Sequence, residues 1–169
     1  MKKKITTPVL AGLILSLIVI VSSLVTYFTG IYVESWGYYI GLGILTAGIL
    51  WAVLNHAREK ESNVTYGQLF AFGFKVAAVV ACITILYTLL SGMIFPDMKE
   101  KILEISRQRA LAKPGMTPEM VDQSMEMFEN HYTLWIVAGI IFFDLFVGVV
   151  ASLIAAAIPK KNPISPFDE

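Results

Sequence analysis

Charged residues are scarce in this chain. Of its 169 residues, 15% are Asp, Glu, Lys or Arg, whereas about a quarter of an average soluble domain is charged. Basic and acidic residues are equal in number, 13 of each, so the chain has no excess of positive charge with which to hold a nucleic acid. We therefore expect no nucleic-acid partner.

Cysteine and recognisable catalytic motifs are also almost absent. A single thiol, Cys82, cannot form an intrachain disulfide, a CxxC redox pair or a zinc site. The sequence contains no phosphate-binding loop, no nucleophile-and-base set and no metal-ligand cluster. We therefore expect a protein that is not an enzyme, with no catalytic residues, no metal and no cofactor.

Long hydrophobic runs are what the chain has in abundance. Hydrophobic residues make up 56% of it, and the mean hydropathy is +0.69. Four runs are each long enough, as helices, to cross a hydrocarbon core of about 30 Å. We predict an all-α integral membrane protein, one membrane domain over residues 1–169. The predicted spans are about 8–28, 36–57, 68–95 and 133–158.

The basic residues outside these spans predict an orientation. If the N-terminus is cytoplasmic, seven Lys and Arg lie on that side and five lie on the other, all within the loop at 96–132. Cytoplasmic loops carry the excess of Lys and Arg. We therefore predict a multi-pass membrane protein with both termini cytoplasmic. An outer aromatic belt would contain Tyr27, Tyr32, Trp36, Tyr132 and Trp135.

Local signals set the limits of the helices. "TYGQ", from Thr65 to Gln68, matches the capping box that opens a helix. Pro96 closes or kinks the third span, and Pro159 closes the fourth.

The segment at 96–132 has the pattern of an extracytoplasmic helical hairpin. "KPGM" separates a first arm from a second arm, which begins with Thr117 as N-cap and Pro118 at the first helical position. The apolar stripe of the second arm consists of Val121, Met125, Phe128 and Tyr132. This stripe either docks a partner or buries itself against the first arm or the membrane surface. No breaker follows Glu119, so the second arm can continue into the fourth span as one helix.

Two charged residues, Lys75 and Asp144, lie inside the predicted spans. A charge at the bilayer centre costs about 2.5–3.5 kcal/mol on insertion scales, so such residues usually face protein or water. Small residues at helical spacing predict that both charges lie on packing faces. These neighbours are Ala71, Ala78 and Cys82 for Lys75, and Gly148, Ser152 and Ala155 for Asp144.

Depth argues against a direct ion pair between the two. The helical rise places Asp144 about 13 Å below Trp135 and Lys75 about 30 Å below Phe95. We expect Lys75 to extend to the cytoplasmic headgroups, with a direct Lys75–Asp144 bridge as the less favoured alternative. The other spans offer hydroxyl groups near the depth of Asp144. The candidate intramembrane polar site is therefore Asp144, Lys75, Thr46, Thr84 and Tyr87.

Three interpretations of Asp144 stay open. It locks helices through a polar contact, it couples to a proton or another ion, or it contacts a second subunit. The second span also carries a small-residue seam, which packs helices within one chain or forms a homo-oligomer. This seam consists of Gly37, Gly41, Gly48 and Ala52.

Three stretches of the chain resemble a known family. They are "TYGQLFAFGF" from Thr65, "FPD" at 95–97 and "GMTPEMVD" before the fourth span. With the four-span layout and the "MKKK" start, they resemble the Bacteroidota membrane family catalogued as domain of unknown function 4199. The resemblance covers about residues 5–158. It implies an inner-membrane protein of four helices and supplies no activity and no functional residues.

The sequence does not specify a biochemical activity. The leading hypothesis is a non-catalytic accessory or scaffold subunit that lies in the lipid bilayer and presents residues 96–132 to a protein partner. The alternative is a small carrier or ion-coupled transporter that uses Asp144. An enzyme acting on lipid would need a set of residues that the sequence does not contain.

Overall fold

A computed structural model describes residues 6–31, 37–60 and 64–159. These residues form six α-helices and contain no strand, which confirms the all-α class. The helices are α1 (Pro8–Phe28), α2 (Gly37–Glu59), α3 (Tyr66–Ile94), α4 (Pro96–Leu111), α5 (Pro118–Asn130) and α6 (Tyr132–Ala157). Several residues used in the topology and aromatic-belt predictions lie outside the described residues. They are Lys2, Lys3, Lys4, Tyr32, Trp36, Lys160 and Lys161.

Four of the helices, α1, α2, α3 and α6, are long and apolar enough to cross a membrane. Their limits lie close to those expected from the hydrophobic runs. The helix starts follow from local capping. In the capping box, the Gln68 side chain accepts from the Thr65 N–H at 2.9 Å, and the Thr65 hydroxyl accepts from the Gln68 N–H at 3.3 Å. Thr7 caps α1 in a similar way, and Pro8 follows it.

The chain contains two compact units. The first comprises Met1–Thr84 and Phe142–Glu169, and it therefore holds α1, α2, most of α3 and the second part of α6. The second comprises Ile85–Ile141, and it holds the end of α3, the helices α4 and α5, and the start of α6.

Close helix contacts at small residues organise the first unit. A Cβ atom added at Gly148 of α6 would overlap the Ala77 side chain of α3, and one added at Gly73 of α3 would overlap Ser152 of α6. Higher numbers on one helix meet lower numbers on the other, so α3 and α6 run antiparallel here. Because lipid tails are as apolar as leucine, such close van der Waals packing is what holds membrane helices together.

The small-residue seam of α2 is divided between two environments. A Cβ atom at Gly48 would overlap the Leu15 side chain of α1, and Ala52 is 2% exposed. These two residues therefore pack helices within the chain. Gly41 has no atom within 4 Å of the place where its Cβ would lie, and Gly37 faces the backbone of Ile31.

The second unit contains the predicted hairpin. Its loop turns at Gly115, whose φ of +85° favours glycine. Val121 is fully buried, and the rest of the predicted stripe is half-buried, as are Met98, Ile102 and Ile105 on α4. Arg107 of α4 forms a salt bridge with Asp122 of α5, and the Lys99 ammonium lies 5.5 Å from the centre of the Tyr132 ring. The stripe is therefore fully buried at Val121 and half-buried at its other positions, beside the contacts between the two arms.

The prediction that the second arm can continue into the fourth span as one helix is wrong. The chain is interrupted at His131, between α5 and α6. The backbone of His131 has φ −120° and ψ 25°, and its N–H donates to the Glu129 carbonyl. The Met127 carbonyl, which an unbroken helix would pair with that N–H, lies 3.3 Å from Nδ1 of the His131 ring instead. A side-chain contact thus replaces the backbone hydrogen bond at the break.

We predict that Gly148→Leu destabilises the first unit by about 1–3 kcal/mol or more, because the new side chain must displace Ala77. Thermal unfolding of the detergent-solubilised protein measures this change. Gly139→Leu, on the same helix, is the matched control, because no atom lies within 4 Å of its Cβ position. Equal unfolding temperatures for the two variants would contradict the close α3–α6 contact.

Candidate functional sites

Asp144 lies on the packed face of α6. Gly148, Ser152 and Ala155, at helical spacing below it, are all buried, and Asp144 itself is half-buried. This arrangement agrees with the packing face predicted for Asp144.

The pairing between α3 and α6 identifies what lies opposite Asp144. Gly73 meets Ser152, and Ala77 meets Gly148 one turn further on. One more turn of the same antiparallel pairing places Ala81, which is buried, opposite Asp144. Thr84 follows within one turn of that level, and its hydroxyl oxygen is buried and has no hydrogen-bond partner among the described residues. Two polar side chains thus lie at the same end of the first unit.

The other residues of the candidate site each have their own surroundings. The Thr46 hydroxyl donates to the Leu42 carbonyl of its own helix at 2.8 Å. Tyr87 is half-buried and belongs to the second unit. No ion pair joins Lys75 to Asp144 within the described parts of the chain; there the salt bridge found is Arg107–Asp122.

Lys75 is exposed, so it does not lie on a packing face as predicted. Of the small neighbours on which the prediction was based, Ala71 and Ala78 are half-buried and Cys82 is exposed, so this side of α3 is not fully covered. Small neighbours alone did not identify the packed side of the helix.

The level of Lys75 can be read from its neighbours on α1. Gly12 contacts Val76 and Val79, and Pro8 lies four residues, or about 6 Å, below Gly12. Lys75 therefore lies only about 2 Å inside the first residue of α1. Since α1 is about 31 Å long and just spans a hydrocarbon core, this level supports the expectation that the Lys75 ammonium reaches the headgroups.

A polar contact that the sequence did not predict joins the start of α1 to the end of α2. The Thr6 N–H donates to Glu59 Oε2 at 2.7 Å, and the Thr6 hydroxyl donates to Glu59 Oε1 at 2.6 Å. Asn55 Nδ2 donates to the same Oε1 at 2.7 Å. We call these three residues the Thr6–Glu59 clasp. The i, i+4 spacing of Asn55 and Glu59 is visible in the sequence, but Thr6 lies 53 residues away.

At the same end of the first unit, two further contacts join α3 to its neighbours α2 and α6. The His56 ring stacks on Phe72 of α3 with ring centres 4.0 Å apart, and its Nδ1 is buried without a partner among the described residues. The Tyr66 hydroxyl of α3 donates to the Leu153 carbonyl of α6 at 3.3 Å. In the part of the chain that is described, no three His, Cys, Asp or Glu side chains come together as a metal site.

The hairpin leaves one side of α5 open. We define the α5 outer face as six exposed residues: Glu119, Met120, Gln123, Glu126, Met127 and Asn130.

The N-terminus of α5 is capped by Thr117, whose hydroxyl accepts from the Met120 N–H at 3.3 Å. Hydrogen bonds from its own backbone N–H and from the Thr117 hydroxyl lower the pKa of Glu119 below its ordinary value of 4.5. Their contribution to the cap is therefore lost as the pH falls through that lower value.

We predict that Glu59→Ala loosens the start of α1, because it removes the acceptor of both Thr6 hydrogen bonds. A hydrogen bond to a charged group contributes about 1.5–3 kcal/mol. Hydrogen exchange at the first turn of α1 should become faster, whereas Lys60→Ala, an exposed neighbour, should leave it unchanged. Unchanged exchange in Glu59→Ala would contradict a stabilising role for the clasp.

Comparison with known proteins gives a family but no characterised relative. No curated protein and no solved structure matches the chain. A family model described as "Protein of unknown function (DUF4199)" matches residues 10–161, which is most of the chain and includes all three stretches on which the resemblance was based. The resemblance is therefore confirmed, and the chain belongs to the DUF4199 family of proteins of unknown function.

Proposed function

We propose that this protein is a non-catalytic accessory or scaffold subunit of a membrane, and that it presents the α4–α5 hairpin to a protein partner. The construction of the hairpin carries the proposal. Val121 is fully buried and Arg107 pairs with Asp122 across the arms, so the hairpin is held by its own contacts. A surface that is ordered before binding loses less conformational entropy when a partner binds.

The surface available to a partner is the outside of the hairpin. Its apolar stripe packs between the arms, whereas the α5 outer face remains exposed. Docking through the stripe would first require the arms to separate, which would expose Val121 and its half-buried neighbours. Docking through the outer face requires no such rearrangement, and we assign the partner contact to that face.

We also propose the cellular context of the protein. The resemblance noted from the sequence supports the inner membrane of a member of the Bacteroidota. The distribution of Lys and Arg supports an orientation with both termini in the cytoplasm and the hairpin outside. In a Cys82→Ser background, a membrane-impermeant maleimide should label a cysteine at position 127 in intact cells. It should not label one at position 60.

The scaffold proposal predicts a partner at fixed stoichiometry. After crosslinking and extraction of the native membrane into nanodiscs, native mass spectrometry should show a second protein bound at a constant ratio. Val121→Asp places a charge in the hairpin core and should abolish that complex. Ser124→Asp, an exposed substitution one turn away, should preserve it.

Recovery of only monomer or homo-oligomer would contradict the scaffold proposal. The first unit provides an internal check on Val121→Asp. Its thermal unfolding should match that of the wild type, so that a lost complex is attributable to the hairpin.

A small carrier that uses Asp144 is the second candidate function. Asp144 has no hydrogen bond or ion pair among the described residues, and the buried Thr84 hydroxyl near its level also has none. An intramembrane carboxyl group of this kind is characteristic of proton and ion pathways. The helix-locking interpretation would instead require a polar partner for Asp144.

The carrier function predicts that water reaches position 144. In a Cys82→Ser background, Asp144→Cys should react with a water-soluble maleimide in nanodiscs, and Asp144→Asn should remove a proton-coupled flux without changing assembly. Ser152→Cys, two turns away on the same helix and fully buried, should stay protected and serves as the control. Complete protection at position 144 would exclude this function.

A further inference from the structure

The α5 outer face exposes apolar side chains on a helix outside the four candidate spans. Met120 is 51% exposed and Met127 is 58% exposed. Methionine is flexible and polarisable, and it is over-used at surfaces that bind amphipathic helices. The two side chains lie seven residues apart, so they occupy the same side of the helix, about 10 Å from each other.

All ionisable side chains of α5 are acidic. Pro118–Asn130 contains Glu119, Asp122, Glu126 and Glu129 and no Lys, Arg or His. Asp122 is paired with Arg107, and Glu119 takes part in the helix cap. Glu126 and Glu129 have no ion-pair partner among the described residues. A ligand for this face must therefore supply both positive charge and apolar surface.

The sequence of α5 repeats every seven residues. "EMVDQSM" from Glu119 is followed directly by "EMFENHY" from Glu126, with similar residue types at most of the seven positions. The inward positions, such as Val121 and Phe128, are explained by packing within the hairpin. The outward repeats are not, because Glu119 with Glu126, Met120 with Met127, and Gln123 with Asn130 all face away from the hairpin core.

A seven-residue repeat is the periodicity with which helices recognise helices, with charges beside an apolar seam selecting the partner. We infer that the α5 outer face binds a cationic amphipathic helix of a partner protein, its apolar residues on Met120 and Met127 and its Lys or Arg residues beside Glu119 and Glu126. This inference rests on the proposed scaffold function and specifies the class of partner.

A second copy of this chain fits the face less well. The exposed cations of α4 include Lys101 and Arg107, but no two cations on that helix are seven residues apart. Two copies of α5 facing each other would bring like charges together, which is unfavourable. The charge pattern therefore favours a different protein with a basic heptad helix.

A designed peptide tests the inference on the full-length protein. The probe is a labelled three-heptad helix with Leu on its apolar seam and Lys on both flanks, and fluorescence anisotropy measures its binding to the protein in zwitterionic nanodiscs. Signal on empty nanodiscs is subtracted. We expect saturable binding that weakens with salt, because the flanking contacts are electrostatic.

Matched double variants assign the binding to the α5 outer face. Glu119→Gln with Glu126→Gln should weaken binding about threefold to tenfold, and Met120→Ala with Met127→Ala should weaken it by a similar factor. Glu100→Gln with Glu104→Gln removes the same charge from exposed positions on α4 and should have no effect. Circular dichroism confirms that each variant keeps its helices.

Three results would overturn the inference. They are equal binding to all variants, equal binding of a peptide with the same composition in scrambled order, and no binding above that of empty nanodiscs. The scaffold function fails separately. If a native partner co-purifies and tolerates both α5 double variants, the scaffold function stands and the assignment to this face is wrong. If the peptide binds but no partner co-purifies, the face is supported and the scaffold function is not.

Discussion

The close approach of α3 and α6 is the contact on which the rest of the first unit depends. At Ala77–Gly148 and Gly73–Ser152 there is no room for a larger side chain on α6 or α3. In lipid, this van der Waals packing replaces the hydrophobic effect as the force that joins helices. The same contacts determine the position of Asp144, because the pairing that they establish leads directly to Ala81 opposite it.

Several polar contacts lie at the end of the first unit that contains the start of α1. The Thr6–Glu59 clasp joins α1 to α2 by hydrogen bonds, the His56–Phe72 stack joins α2 to α3, and Lys75 lies near the start of α1 with its side chain exposed. These positions bring hydrogen-bonding and charged groups to the same level of the unit. Asp144 differs from them because it lies further from this end of the unit, on a packed face. This position is the basis of the proposed carrier function.

The hairpin uses one heptad pattern on two sides. Its inward positions bury Val121 and hold the arms together. In the proposed function, this packing orders the hairpin before a partner binds. Its outward positions present methionine and glutamate at the same period. Stability of the hairpin and the proposed recognition therefore depend on different residues of one helix, so each can be altered without the other.

The sequence by itself determined the features that depend on neighbouring residues. The four apolar spans follow from run length, and the capping box at Thr65 and the N-cap at Thr117 follow from side chains that bond to the next turn. Tertiary structure decided which side of each helix is covered. Lys75 is exposed although its neighbours are small, Gly48 is packed while Gly41 is open, and Thr6 meets a carboxylate 53 residues away. These outcomes depend on the rotation and register of each helix against its neighbours, and small residues permit close contact without specifying which helix will make it.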